Sequence, residues 1–131
     1  MALLAEIAAV GVGGTLGGVA RHWVNGIVTR WVRTRFPWGI LVVNVSGALC
    51  IGLLMGAAEG IPALANSTVW SLAATGVLGS YTTVSSFSLQ TLELVRSRDI
   101  VRAGANVGLS FGFCLGGAGV GLSVARWLAG A

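Results

Sequence analysis

A dense cluster of hydroxyl side chains lies near the middle of the chain, in a long stretch without charge. The stretch runs between Glu59 and Glu93, and its centre reads GSYTTVSSFS from Gly79 to Ser88. Unpaired polar groups are costly in hydrocarbon, so a polar segment at membrane depth is tolerated mainly where it is buried in protein or lines a wet cavity. Uncharged donors without carboxylates suit an anion, which needs hydrogen bonds in place of water. The cluster therefore predicts a place where something polar binds or passes.

Four further uncharged polar side chains are expected at the same depth in other helices: Asn44, Ser46, Asn106 and Ser110. Hydrogen bonds between helices, worth about 0.6 to 2 kcal/mol each, would explain any one of them. They explain the whole set less well. We therefore keep both interpretations, helix packing and an ion pathway, for each residue.

Residue combinations typical of enzymes are absent from the sequence. The four acidic residues fall near the ends of predicted helices or in loops, and no Ser, Cys and His set suggests a nucleophile. His22 is interpreted as an interfacial residue, and Cys50 and Cys114 as small packing residues without metal-ligand spacing. We expect that the protein is not an enzyme.

The composition places these polar groups in a membrane. Hydrophobic residues make up 55% of the 131 residues and charged residues only 9%, against roughly 25% charged residues in soluble domains. A helix needs about 20 mostly apolar residues to span a bilayer. We predict an all-α membrane protein, a single domain of residues 1–131 with four transmembrane helices at about 3–24, 38–58, 66–92 and 103–125.

Glycines recur at a spacing of four in three of the predicted helices. The pairs are Gly13 and Gly17, Gly14 and Gly18, Gly52 and Gly56, Gly108 and Gly112, Gly112 and Gly116, and Gly117 and Gly121. Small residues at this spacing let helix backbones approach closely in membranes. Because four thin helices can barely enclose a pathway, we also expect the chain to associate with another.

The arginines are distributed unevenly between the two sides that four spans would create. One side receives Arg30, Arg33, Arg35, Arg96, Arg98 and Arg102, and the other receives Arg126. The positive-inside rule then places both termini outside and favours one fixed orientation, as in one partner of a heterodimer. The net charge of +4 suits anions at a channel mouth and anionic lipid headgroups equally well.

The sequence resembles the small bacterial fluoride channels called Fluc or CrcB over nearly its whole length. The resemblance rests on GGTLGG with Arg21 following, on PWG at 37–39 leading to Asn44 and Gly47, and above all on GVLGSYTTVSSFS from Gly76 to Ser88. It implies an antiparallel, dual-topology homodimer in the bacterial inner membrane with two parallel fluoride pathways. It also implies a third helix that breaks at the dimer centre, around a structural sodium ion.

The resemblance also implies roles for individual residues. The backbone carbonyls of Gly79 and Thr82 match the sodium ligands, and Asn44 matches the asparagine of the pore. Phe87 matches the second of two pore phenylalanines, whose ring edges carry partial positive charge that can face an anion. Val84 stands in place of the first phenylalanine and offers only an apolar wall.

Five more residues of the expected ion pathway follow from the same resemblance. Ser110 and Thr83 match a polar track, and the hydroxyl of Ser86 adds to it. Asn106 stands where the family often has a tyrosine, and Arg21 matches an arginine of the first helix.

The function implied is a passive, anion-selective channel through which fluoride leaves the cytoplasm and which relieves fluoride toxicity. One alternative is a subunit of a heterodimeric fluoride channel whose pore is impaired at Val84. Another is a small dual-topology multidrug or guanidinium exporter. Such exporters carry a glutamate midway along the first helix, whereas Glu6 lies near its start.

Overall fold

The computed structural model describes residues 1–130. Its regular secondary structure over that range is entirely helical, which confirms the all-α prediction. The long helices are α1 (Ala2–Trp31) and α2 (Trp38–Gly60). They are followed by α3 (Ser67–Trp70), a π-helical segment (Ser71–Leu78), α4 (Gly79–Tyr81), α5 (Val84–Arg96) and α6 (Ile100–Ala129). Ala131, the last residue of the predicted domain, lies outside the described residues.

Three helices are long and apolar enough to cross a membrane, with mean hydropathies of 1.6 for α1, 2.2 for α2 and 1.7 for α6. They cover the first, second and fourth of the predicted spans, so the chain is a multi-pass membrane protein. The other predicted span, at about 66–92, is divided among α3, the π-helical segment, α4 and α5. None of these pieces alone has the length of a span.

The most extensive helix contact joins α2 and α6. A Cβ atom on Gly52 would meet the carbonyl oxygen of Ala118, and a Cβ atom on Gly121 would meet that of Leu49. These obstacles are backbone atoms, which cannot rotate out of the way. The two helices therefore lie at a separation that only glycine permits, as the spacing of four predicts.

The contact between α1 and the π-helical segment is built in the same way. Gly13 and Gly17 are buried, and Cβ atoms there would meet the carbonyl oxygens of Leu72 and Val77. By contrast, a Cβ atom added at Gly108, Gly112 or Gly116 on α6 would have no neighbour within 4 Å inside the described chain. Their spacing therefore does not serve packing within one chain.

Side-chain caps fix where the interrupted helical run begins. The Oδ1 atom of Asn66 accepts hydrogen bonds from the backbone amides of Thr68 (3.0 Å) and Val69 (3.4 Å). Such caps satisfy amides that have no partner in the first turn of a helix. The run then changes from α to π winding at Ser71, and π-helical stretches are rare and frequent near functional sites.

Candidate functional site

The hydroxyl cluster borders an open cavity of about 530 Å³ that is lined by α2, the π-helical segment, α4, α5 and α6. Its lining residues are Asn44, Gly47, Ala48, Ile51, Ala74, Leu78, Gly79, Thr82, Thr83, Val84, Phe87, Ser110, Phe111, Cys114 and Leu115. None of these residues carries a charge. The wall is mostly apolar, with a few hydroxyl and amide groups, which is the usual character of a site that selects a small ligand.

The helical run stops at Thr82 and Thr83, where the backbone becomes extended. Thr82 has φ −76° and ψ 159°, and Thr83 has φ −153° and ψ 120°. Helix resumes at Val84 because the Oγ1 atom of Thr83 caps α5, accepting a hydrogen bond from the amide of Ser86 at 3.2 Å. The interruption thus carries its own N-cap, since threonine is a favoured residue at that position.

Asn44 on α2 holds this extended segment in place. Its Oδ1 atom accepts a hydrogen bond from the amide of Thr83 (2.8 Å), and its Nδ2 atom donates to the carbonyl oxygen of Thr83 (3.0 Å). The side-chain amide therefore satisfies both backbone groups of one extended residue, as a neighbouring strand would. One N–H of the Asn44 amide is left for another acceptor, because the amide has two donors.

The same hydrogen bonds leave two carbonyl groups without their usual partners. In a continuous helix the amide of Thr83 would donate to the carbonyl of Gly79, and the amide of Ser86 to that of Thr82. Here the two amides bind side chains instead, those of Asn44 and Thr83. Carbonyl oxygens released in this way are suitable ligands for a hard cation.

Within residues 1–130 no group of three or more His, Cys, Asp or Glu side chains could hold a metal.

The two predicted pathway residues of α6, Asn106 and Ser110, differ in whether their side chains are paired. Asn106 is 2% exposed, and its Nδ2 atom donates to the Oγ1 atom of Thr91 at 2.8 Å. Thr91 in turn donates to the carbonyl oxygen of Phe87 at 2.7 Å. The Oγ atom of Ser110 is buried at the cavity without a partner in the described chain. A buried hydroxyl without a partner costs about 1 to 3 kcal/mol, so Ser110 is available to a ligand.

Val84 and Phe87 lie one helical turn apart at the start of α5, so their side chains share a face. Both line the cavity, and Val84 is 77% exposed. The isopropyl group of Val84 is thus not packed within this chain.

The sequence matches known proteins along most of its length. The family described as "CrcB-like protein, Camphor Resistance (CrcB)" matches residues 8–122. The chain belongs to this family. It is 48% identical over 121 residues, 92% of each chain, to "Fluoride-specific ion channel FluC 2" of Rhodopseudomonas palustris. It is 44% identical over 130 residues to the "Fluoride-specific ion channel FluC 2" of Bradyrhizobium diazoefficiens, covering 98% of this chain and 94% of that one.

A third relative of this CrcB-like chain comes from Opitutus terrae and is named "Fluoride-specific ion channel FluC". It is 46% identical over 121 residues, or 91% of this chain and 85% of the relative. The family resemblance inferred from the sequence is therefore confirmed.

In this CrcB-like chain five of the predicted pathway residues line the same cavity: Asn44, Thr83, Val84, Phe87 and Ser110. Gly79 and Thr82, the predicted sodium-ligand residues, line it as well.

Three predicted pathway residues do not line the cavity. Ser86 lies directly behind Thr83, whose Oγ1 atom donates to the Oγ atom of Ser86 at 3.2 Å. Asn106 lies next to Thr91, and Arg21 is half-buried on α1, which does not border the cavity.

Two polar contacts around the CrcB-like site were not predicted from the sequence. Thr91 links Asn106 to the backbone of Phe87, and its position four residues after Phe87 was a usable signal, since such residues share a helix face. The hydroxyl of Tyr81 lies 2.9 Å from the Oγ atom of Ser46, which joins α4 to α2. No spacing in the sequence indicates that pair.

Proposed function

We propose that this chain is a passive, fluoride-selective channel that lets fluoride leave the cytoplasm of a bacterial cell. The observation that carries the proposal is a sequence identity of 44–48% to proteins named as fluoride-specific ion channels, over nearly the entire chain. The family match over residues 8–122 includes every residue that lines the cavity. The chain is accordingly not an enzyme, and a multidrug or guanidinium exporter is not favoured.

The chemistry of the cavity supports selection of a small anion. The remaining N–H of Asn44 and the hydroxyl of Ser110 can donate hydrogen bonds, and the ring edge of Phe87 carries partial positive charge. No carboxylate is among the lining residues. A carboxylate is the group that would most strongly repel fluoride. In this proposal a largely dehydrated fluoride ion exchanges its water for these donors, and we expect the larger chloride ion to be excluded.

Thr83, Ser86 and Asn106 contribute to this pathway indirectly in the proposal. They hold the extended segment, the first turn of α5 and the backbone of Phe87 in place through the hydrogen bonds described above. Val84 forms an apolar part of the wall. Arg21, at some distance on α1, raises the local concentration of anions rather than binding one.

In this proposal residues 67–96 cross the membrane in addition to α1, α2 and α6. They form the third transmembrane helix in chain order, and this helix is broken at Thr82 and Thr83. Each helical half is about 20 Å long, so the two together exceed the hydrocarbon thickness of about 30 Å. Non-helical backbone at this depth is tolerated where it is buried in protein or lines a cavity. An antiparallel dimer in the inner membrane would bury this break at its centre.

A sodium ion at the dimer centre would neutralise the carbonyl groups that the break releases. The carbonyls of Gly79 and Thr82, from each of two chains, would hold it. The donor set fits a monovalent cation, because it consists of neutral oxygen atoms without a carboxylate. The ion would supply structural stabilisation and would take no part in fluoride movement.

Fluoride efflux from liposomes tests the function directly. The purified protein alone is reconstituted in vesicles loaded with potassium fluoride, valinomycin balances the charge, and an ion-selective electrode follows release. Rapid release of fluoride, with none from chloride-loaded vesicles, is expected. No release from well-folded protein would contradict a homodimeric channel, and recovery on adding an oppositely oriented family member would identify a heterodimer instead.

A further inference from the structure

A second cavity, of about 550 Å³, lies at the end of the bundle where most arginines gather. It is formed by the end of α1, the connection at 32–37, the start of α2 and the end of α5, and it shares no lining residue with the first cavity. Its volume falls in the range of about 300 to 1,000 Å³ that is typical of small-molecule sites. The ion pathway proposed above does not use it.

Two opposite charges line this second cavity. Arg35 enters it from the connection and Glu93 from α5, and both are exposed. The ion pairs of residues 1–130 join Arg102 to Asp99 and Arg126 to Glu59, so Arg35 and Glu93 are paired neither with each other nor elsewhere in that range. A ligand that carries one positive and one negative group could pair with both.

One uncharged lining residue offers a hydrogen-bond acceptor to which no group within residues 1–130 donates. Gln90 borders the cavity, and its Oε1 atom is buried without a partner in the described chain. A buried acceptor of this kind favours a ligand that brings an N–H or O–H group. Gln90 precedes Glu93 by three residues on α5, so both side chains lie on one face of the helix.

Two aromatic side chains also line the second cavity. Phe36 and Trp38 line it with their ring centroids 4.7 Å apart. Tryptophan is enriched at the level of lipid headgroups, and Trp38 begins a helix long enough to span the membrane. We therefore expect the cavity to open at headgroup depth.

We propose that this cavity binds the headgroup of phosphatidylethanolamine. Arg35 binds the phosphate, while Glu93 and the Oε1 atom of Gln90 accept hydrogen bonds from the primary ammonium. Phosphatidylcholine has the same charges but a quaternary ammonium without N–H donors. Phosphatidylglycerol has the phosphate and no cation. The site should thus distinguish three lipids that share the same acyl chains.

Native mass spectrometry of the full-length protein in detergent, with each lipid added in turn, tests the proposal. Phosphatidylethanolamine should bind at least fivefold more tightly than either of the other two lipids. Arg35→Gln and Glu93→Gln should each remove most of that preference, whereas Arg33→Gln and Glu6→Gln, at charges outside the cavity, should leave it unchanged. Equal binding of the ethanolamine and choline lipids would overturn the proposal.

Gln90→Leu separates a ligand contact from a role in folding. It removes an unpaired buried acceptor, so we expect the melting temperature without lipid to hold or rise while the preference for the ethanolamine lipid falls at least threefold. An unchanged preference would exclude Gln90 from the site. Soluble phosphoethanolamine distinguishes the source of the ligand: if it bound as tightly as the lipid, the lipid proposal would be wrong. These readouts are independent of fluoride flux, so they succeed or fail separately from the channel proposal.

Discussion

Asn44→Ala is the substitution that most directly tests how the pathway is built. It removes two hydrogen bonds, of 2.8 and 3.0 Å, to the backbone of Thr83. Each backbone group left unpaired in a part-buried position costs about 1 to 3 kcal/mol, so the extended conformation loses about 2 to 6 kcal/mol. The amide of Thr83 can then return to the carbonyl of Gly79 by continuing the helix. A shift of about 2 kcal/mol already changes such an equilibrium roughly 30-fold.

We therefore expect fluoride flux to fall more than tenfold in Asn44→Ala. Flux is measured as electrode-detected efflux from liposomes at equal protein density, and circular dichroism with size-exclusion chromatography establishes that the variant is folded. Asn44→Asp should also be impaired. It keeps the acceptor for the amide of Thr83 but places a carboxylate oxygen against the carbonyl of that residue and a negative charge in the anion path.

Thr15→Ala is the matched control, because its hydroxyl donates only to the carbonyl of Gly11 within α1. It should leave both flux and melting temperature near those of the unmodified protein. If Asn44→Ala conducts within twofold of the unmodified protein and melts at the same temperature, Asn44 does not hold the pathway open and the reasoning fails.

Three further substitutions test the pathway and its packing. Phe87→Ile should lower flux several-fold with little loss of stability, because an aliphatic side chain has no positive ring edge; equal flux would mean that the ring only packs. Ser110→Ala should leave the melting temperature unchanged or higher, since the hydroxyl has no partner in the described chain, yet reduce flux; unaltered flux would remove Ser110 from the path. Gly121→Ala should destabilise by about 1 to 3 kcal/mol through contact with the backbone of Leu49, whereas Gly119→Ala, in open space, should not; thermal unfolding compares the two.

Helix content and glycine packing could be predicted because they follow from patterns that repeat along the chain. The apolar runs placed three spans, and the spacing of Gly52 and Gly56 placed a close contact on α2. The same spacing at Gly108 and Gly112 corresponds to no contact within the chain, since a periodic pattern does not say which neighbour uses it.

The details of the candidate site were less accessible to sequence reasoning. The resemblance marked Asn44 and Thr83 as separate pathway residues, whereas the structure joins them by a pair of hydrogen bonds between residues 39 positions apart. The π winding of Ser71–Leu78 was not predicted either, because its composition suits an α-helix equally well. Both features depend on tertiary contacts with α1 and α2 rather than on local preference.

The π-helical segment also restricts how the length of this chain can vary. A π-helix bonds residue i to i+5 and so turns by less per residue than the roughly 100° of an α-helix. If Ser71–Leu78 keeps that winding, one deletion within it rotates everything that follows. Thr82 would leave its place against Gly47 on α2, and Thr83 would lose the amide of Asn44. Insertions and deletions are therefore tolerable in the turn before Ser67, but not in the eight residues that set the rotational register of the break.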